Sequence, residues 1–173
     1  MTGVMVAPKI DSTDKDVPYI TTPQHVVVRM LELADVSAGD VVYDLGSGDG
    51  RVPITAARQF GARGVGVEID SGLVARARAN AQEAGVADRA TFRHADLFDV
   101  ALDDATVVTL YLLPHINLRL RPKLLLELDP GDRVVSHDFD MAGWEPDRVV
   151  KMDRATLYLW TIPERILDTL KHE

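Results

Sequence analysis

The chain contains no cysteine among its 173 residues, which excludes disulfide bonds and thiolate metal ligands. No apolar run approaches the ~20 residues of a transmembrane helix, and the N-terminus does not resemble a signal peptide. Cations are the minority, with 19 Lys and Arg against 27 Asp and Glu and a net charge of -8. A net negative charge disfavours binding to the phosphate backbone of a nucleic acid. We expect a cytoplasmic protein with no integral membrane segment and no nucleic acid partner.

Aromatic residues are also few, at 6%, but the 46% hydrophobic and 27% charged residues are ordinary for a globular chain. The length fits one domain. We expect residues 17–173 to form that domain and residues 1–16, which show no periodic pattern, to be a flexible tail. The His, Asp and Glu residues show no spacing typical of metal ligands, so we expect no metal.

Strand-like and helix-like patterns alternate along the chain. We predict a helix that begins at Thr22-Pro23 with Thr22 as its cap, a helix over 51–60, and a helix that Ser71 caps. A leucine-rich helical segment at 118–128 is interrupted by Pro122. The predicted strands are 40–43, 64–68, 90–94, 106–112, 133–136, 148–152 and 156–161. This alternation predicts an α/β fold, with a mostly parallel seven-stranded sheet, helices on both faces and an antiparallel C-terminal strand.

The most informative stretch follows the first predicted strand and reads Asp44-Leu45-Gly46-Ser47-Gly48-Asp49-Gly50. Glycines at a strand-to-helix turn allow a ligand to lie directly against the backbone. A nicotinamide dinucleotide would use G-x-G-x-x-G, but Arg51 occupies the position of the third glycine. The carboxylates of Asp44 and Asp49 would repel a pyrophosphate and attract the sulfonium and ammonium groups of S-adenosylmethionine (SAM). The charges therefore favour SAM as the cofactor.

Two further acids follow the next two predicted strands. Glu68 lies at the ~20-residue offset expected of a carboxylate that binds ribose hydroxyls, which places Ile69 beside the adenine. Asp96, followed by Leu97, can accept a hydrogen bond from the adenine amino group. The predicted cofactor-binding residues are Asp44, Gly46, Ser47, Gly48, Asp49, Gly50, Glu68, Ile69, Asp96 and Leu97.

With these motifs, residues 17–161 resemble a Rossmann-like class I SAM-dependent methyltransferase. A narrower pattern is similar to the mitochondrial lysine methyltransferases that act on the ADP/ATP translocase and on ATP synthase subunit c. This pattern consists of residues 17–19, 44–51, 96–98, 111–114, 133–136 and 144–146. The resemblance implies methyl transfer from SAM to an accessible lysine of a protein substrate. The stretch 111–114 also lacks the Asn/Asp-Pro-Pro-Tyr sequence that holds a base amine, which disfavours methylation of DNA bases.

A lysine ammonium must lose its proton before methylation, and an apolar slot favours that loss. Tyr19, Tyr111 and Trp144 are candidates for the walls of such a slot. His115 and His137 follow the fourth and fifth strands, where either can accept a proton. Two alternatives stay open: methylation of a small molecule, and a non-catalytic SAM-binding module that partners another protein. The oligomeric state is also open.

Overall fold

A computed structural model describes residues 20–164, so the predicted tail and Tyr19 lie outside the described residues. The elements are α1 (Gln24–Leu33), β1 (Val41–Leu45), α2 (Arg51–Phe60), β2 (Arg63–Glu68), α3 (Ser71–Glu83), β3 (Ala90–His94), β4 (Val107–Leu110), α4 (Pro114–Glu127), β5 (Arg133–His137), β6 (Arg148–Met152) and β7 (Ala155–Thr161).

The strands form one seven-stranded sheet in the order β3-β2-β1-β4-β5-β7-β6. The first five strands run parallel to one another. β7 is antiparallel to both of its neighbours, β5 and β6. The predicted fold class is therefore confirmed. The strand order reverses between β1 and β4, and the carboxyl ends of the strands at such a point are where open α/β sheets bind ligands.

The central strands are apolar because both of their faces are buried. Val42 and Val107 pack with α1 and α2 on one face of the sheet. Tyr43 and Val108 pack with α4 on the other face. α3 lies beside α2 and covers Phe92 of the edge strand β3. The core therefore consists of two layers, and the sheet between them holds the carboxyl ends of β1, β2 and β4 in fixed positions.

Two predicted helix caps are wrong. Thr22 does not cap α1, because its hydroxyl lies 3.0 Å from Nδ1 of His137 instead. α3 is capped by Asp70 and not by Ser71: the Asp70 Oδ1 accepts hydrogen bonds of 2.9 and 3.1 Å from two backbone N–H groups of the first turn. Asp70 has the extended backbone that a capping side chain requires, whereas Ser71 is already helical.

The predicted interruption at Pro122 is also wrong, since α4 runs from Pro114 through Pro122 to Glu127. Pro114 suits the first turn, where its missing N–H would have no partner within the helix. Pro122 lies on the exposed side, while Leu120 and Leu124 are fully buried. Burial of that leucine face offsets the roughly 3 kcal/mol that an internal proline costs.

Candidate active site

The loop between β1 and α2 requires glycine. Gly46, Gly48 and Gly50 have φ angles of +85°, +58° and +87°, in the left-handed region that other side chains disfavour. A Cβ atom on Gly50 would also lie 2.6 Å from the ring of Phe92. The loop therefore places main-chain atoms that no side chain covers at the carboxyl end of the sheet, as the sequence motif predicted.

Two cavities flank this loop and meet at Gly46. The loop cavity lies between the glycine loop and residues 20–22, with Asp44 and Tyr111 in its wall. The second, the β3 cavity, lies at the ends of β2 and β3 and is lined by Gly46, Val67, Ile69, Ala95, Asp96, Leu97 and Phe98. Its apolar side chains and single carboxylate suit a planar base with an amino group. The predicted adenine residues thus lie together.

Glu68 connects the glycine loop to the start of α3. Its side chain is buried, with the residue only 1% exposed. Oε1 accepts a hydrogen bond of 2.8 Å from the Gly48 N–H, and Oε2 accepts one of 3.0 Å from the Asp70 N–H. A carboxylate offers about four lone-pair sites, so both oxygens can accept further hydrogen bonds from ribose hydroxyls. Glu68 can therefore shape the loop and bind the cofactor at once.

The other two acids of the motif are each held by a partner. Asp44 accepts a hydrogen bond of 2.8 Å from the Thr109 hydroxyl. Asp49 accepts two from the Arg51 guanidinium, at 3.1 and 2.6 Å, and Arg51 also donates one of 3.0 Å to the backbone oxygen of Thr22. In the sequence, Arg51 occupies the position of the third glycine and begins a predicted helix, and neither feature indicates these contacts. The structure shows that it joins the glycine loop to the segment before α1.

Replacing Arg51 with methionine is expected to weaken SAM binding about tenfold, because the loop carboxylate and residues 20–23 lose one shared charged partner. Calorimetric titration with SAM measures the change. Arg58→Met is the control, since Arg58 is exposed on the same helix. Equal affinities of the two variants would contradict a role for Arg51 in holding the loop.

A third cavity, the outer cavity, lies between the start of α1, the end of β5 and the β6–β7 turn. β4 ends at Leu110, so Tyr111 begins the loop at the sheet edge. Ile20, Thr21 and Tyr111 line both the outer cavity and the loop cavity. A ligand in the outer cavity would therefore lie next to the methionine end of a cofactor in the loop cavity.

Tyr111 and His137 form one wall of the outer cavity as a stacked pair, with ring centroids 4.0 Å apart. Nδ1 of His137 lies 3.0 Å from the Thr22 hydroxyl, and Nε2 lies 3.3 Å from Oδ2 of Asp138. Because a carboxylate only accepts, this geometry favours a proton on Nε2 and a hydrogen bond from Thr22 to Nδ1. Nδ1 is then hydrogen-bonded to Thr22, whereas Nε2 and Oδ2 are in electrostatic contact without forming a hydrogen bond.

Both rings are held in their neutral forms near pH 7. Burial lowers the pKa of His137 from its ordinary value, although the charge of Asp138 acts in the opposite direction. Burial, aided by the same charge, raises the pKa of Tyr111 to about 12. The structure therefore presents His137 as a neutral stacking partner of Tyr111, and its role as a proton acceptor stays a prediction.

The lowered pKa of His137 predicts a loss of stability at acid pH. The unfolded chain, with an ordinary histidine pKa of 6.5, takes up the proton before the folded chain does. The stabilisation is thus fully present above pH 6.5 and is lost as the pH falls through the folded pKa. We expect the urea midpoint of the wild type to fall more steeply below pH 6.5 than that of His137→Gln. Parallel pH profiles would contradict this.

The remaining candidates lie elsewhere. His115 is exposed in the first turn of α4. Trp144 packs on Trp160 with ring centroids 5.6 Å apart, and its backbone oxygen accepts a 2.8 Å hydrogen bond from the Trp160 indole. Among residues 20–164, no group of three or more His, Asp or Glu is placed to hold a metal ion. No helix within that range combines the length and apolarity needed to cross a membrane.

The strand order, the glycine loop and the acids at the ends of β1, β2 and β3 define a Rossmann-like SAM-dependent methyltransferase. The sequence comparison is more specific. The chain belongs to the ANTKMT methyltransferase domain family, whose profile matches residues 44–148.

Two curated relatives illustrate the family. The chain is 49% identical to a protein-lysine N-methyltransferase of Saccharolobus islandicus, over 86% of this chain and 95% of that protein. It is 39% identical to the adenine nucleotide translocase lysine N-methyltransferase of Mus musculus, over 78% of this chain. There it spans only 58% of the mouse protein.

Solved structures confirm the cofactor. An RNA methyltransferase of Salinibacter ruber in complex with S-adenosylhomocysteine has a TM-score of 0.84 and 62% identity, over 85% of this chain and 96% of that one. A SAM-dependent methyltransferase of Geobacter sulfurreducens, also with S-adenosylhomocysteine, has a TM-score of 0.60 and 32% identity, over 68% of this chain and 48% of that one. The methyl donor of this enzyme is therefore SAM.

Proposed function

We propose that this enzyme methylates the side-chain amine of lysine in a protein substrate. The observation that carries the proposal is the junction of the loop cavity and the outer cavity at Ile20, Thr21 and Tyr111. A slender side chain entering from the outer cavity would reach the methionine end of the cofactor at that junction. The Saccharolobus islandicus relative, which is named a protein-lysine N-methyltransferase, supports the same acceptor.

SAM supplies an electrophilic methyl group on a sulfonium when it is bound. We assign the adenine to the β3 cavity, beside Ile69 and Asp96, and the ribose to Glu68. The methionine end then lies in the loop cavity, where the carboxylate of Asp44 is placed to attract its ammonium group. These residues hold the donor still, and methyl transfer chiefly demands such alignment.

The acceptor amine must be neutral to attack. Transfer of a lysine ammonium from water to the wall formed by Tyr111 and His137 penalises its charged form and so lowers its pKa. The hydrogen bond from Thr22 fixes the His137 ring, and that ring fixes the face of Tyr111. An aromatic face also attracts the methylated ammonium product. In this scheme the residues orient and desolvate the amine.

RNA is the second candidate acceptor, because the Salinibacter ruber structure is described as an RNA methyltransferase. The outer cavity argues against it: Asp138 and Asp153 line it, and Arg154 is the one arginine among its lining residues in the described part of the chain. The buried Asp138 carboxylate repels a phosphate backbone, as does the net charge of -8, while Asp153 and Arg154 offset one another. A lysine side chain suits these charges better.

The class of acceptor is tested with methyl-labelled SAM, the purified enzyme and a cell lysate of the source organism that lacks its gene. The proposal is supported if protease treatment releases the label and nuclease treatment does not. Nuclease-sensitive label would establish RNA, and label that passes a small-pore filter would establish a small molecule. Incorporation no greater than that of a heat-inactivated sample would favour the non-catalytic binding module.

A further inference from the structure

Asp138 is held rigidly at the end of β5 in an uncommon conformation. Its φ angle is +65°, in the left-handed region that few residues other than glycine adopt. Its backbone N–H donates a 2.7 Å hydrogen bond to the Thr156 oxygen, and its Oδ1 accepts one of 2.9 Å from the Thr156 N–H. Two bonds to one residue of β7 therefore fix the direction of the carboxylate.

The other carboxylate oxygen of Asp138 has no hydrogen-bond partner among the described residues, although the side chain is only 7% exposed. Nε2 of His137 lies 3.3 Å from it without forming a hydrogen bond. Asp138 lines the outer cavity, and its charge reaches Tyr111, since it contributes to the raised pKa of that phenol. Because His137 is neutral, the buried carboxylate has no compensating positive charge beside Oδ2, and a cation in the outer cavity would supply one.

We infer that Asp138 supplies a fixed negative charge that draws a cationic side chain into the outer cavity and discriminates against neutral ones. The inference rests on the proposed function and names the residue that would select the lysine. It concerns binding of the ammonium form, which afterwards releases its proton to solvent water so that the neutral amine can attack the methyl group. Attraction between a buried carboxylate and an ammonium a few ångströms away favours the cation by about tenfold once desolvation is included.

Other ionisable groups at this cavity are unsuited to that role. His25, Asp153 and Arg154 also line it, and all three are exposed. Solvent and salt screen exposed charges far more than buried ones. Asp153 and Arg154 are adjacent and of opposite sign, so their fields largely cancel at a distance. The selecting charge is therefore that of Asp138, and Asp153 provides a matched control.

The test compares two probes that differ in charge, N-acetyl-lysine methyl ester and N-acetyl-norleucine methyl ester. Each is titrated by NMR into protein saturated with S-adenosylhomocysteine. We expect the wild type to prefer the lysine probe about tenfold, and Asp138→Asn to bind both probes equally. Asparagine tolerates the left-handed backbone, so the fold should persist, which thermal unfolding verifies. Asp153→Asn should keep the preference within about twofold of wild type.

A lysine preference that survives in Asp138→Asn would overturn the inference. If that variant fails to fold, the wild type is tested at about 0.5 M salt instead. A lysine preference set by the buried charge of Asp138 persists at that salt concentration. Loss of the preference there would assign it to exposed groups and overturn the inference. Charge selection by Asp138 without formation of methyl-lysine would refute the proposed function alone. Methyl-lysine formation with no dependence on Asp138 would refute this inference alone.

Discussion

Replacing Glu68 with alanine is expected to abolish measurable SAM binding, with a loss of affinity of about 100-fold or more. Glu68 is the one side chain that we assign both to the ribose and to the shape of the glycine loop. Without it, the N–H groups of Gly48 and Asp70 lose the acceptors they have at 2.8 and 3.0 Å. The buried N–H of Gly48, left unpaired, also destabilises the fold by roughly 1–3 kcal/mol.

Calorimetric titration with SAM, at a temperature where the variant is folded, measures this effect. Glu83→Ala is the control, because Glu83 is an exposed acid at the end of α3. Thermal unfolding of both variants separates the loss of stability from the loss of affinity. An affinity of Glu68→Ala within about threefold of wild type would show that the ribose lies elsewhere.

Replacing Gly64 with alanine is expected to lower the free energy of unfolding by about 3 kcal/mol. The new Cβ would lie 2.4 Å from the backbone oxygen of Pro53 and 2.6 Å from its Cα. These are backbone atoms of α2, so relief requires the whole helix to move away from β2. The glycine loop leads directly into α2. We therefore expect SAM affinity to fall together with stability.

Urea denaturation of the two glycine variants Gly64→Ala and Gly39→Ala tests this expectation. A Cβ on Gly39 would meet nothing within 4 Å among the described residues, so that variant should unfold near the wild-type midpoint. Gly64→Ala should unfold at a clearly lower urea concentration. Coincident transitions for the two variants would contradict close packing of α2 on β2 as the reason for glycine at position 64.

The fold and the location of the cofactor site follow from local sequence signals. The apolar strands and the amphipathic helices alternate, and the acids Asp44, Glu68 and Asp96 each follow a strand or end it. Those carboxylates lie along one edge of the sheet because its parallel strands all end there. The glycine spacing identifies the turn, since positions 46, 48 and 50 all have positive φ angles. Each of these signals is contained in a short stretch of the sequence.

Features that depend on tertiary contacts escaped the sequence analysis. Thr22 resembles a helix cap, but its hydroxyl lies beside His137, 115 positions away. Pro122 resembles a helix breaker, but burial on the opposite side of α4 keeps the helix intact. The packing role of Gly64 and the unpaired oxygen of Asp138 are visible only in three dimensions. Asp138 does follow a strand, as the cofactor acids do, and that was the one available signal.

Amino-acid analysis of protein methylated by the purified enzyme tests lysine methylation most directly. An acceptor protein mixture is incubated with isotope-labelled SAM, hydrolysed completely to amino acids and separated by mass. We predict labelled Nε-methyl-lysine with the wild-type enzyme and none above background with Glu68→Ala. Label recovered from protein only on other amino acids, or only in nucleosides, would contradict the proposal that the outer cavity receives a lysine side chain.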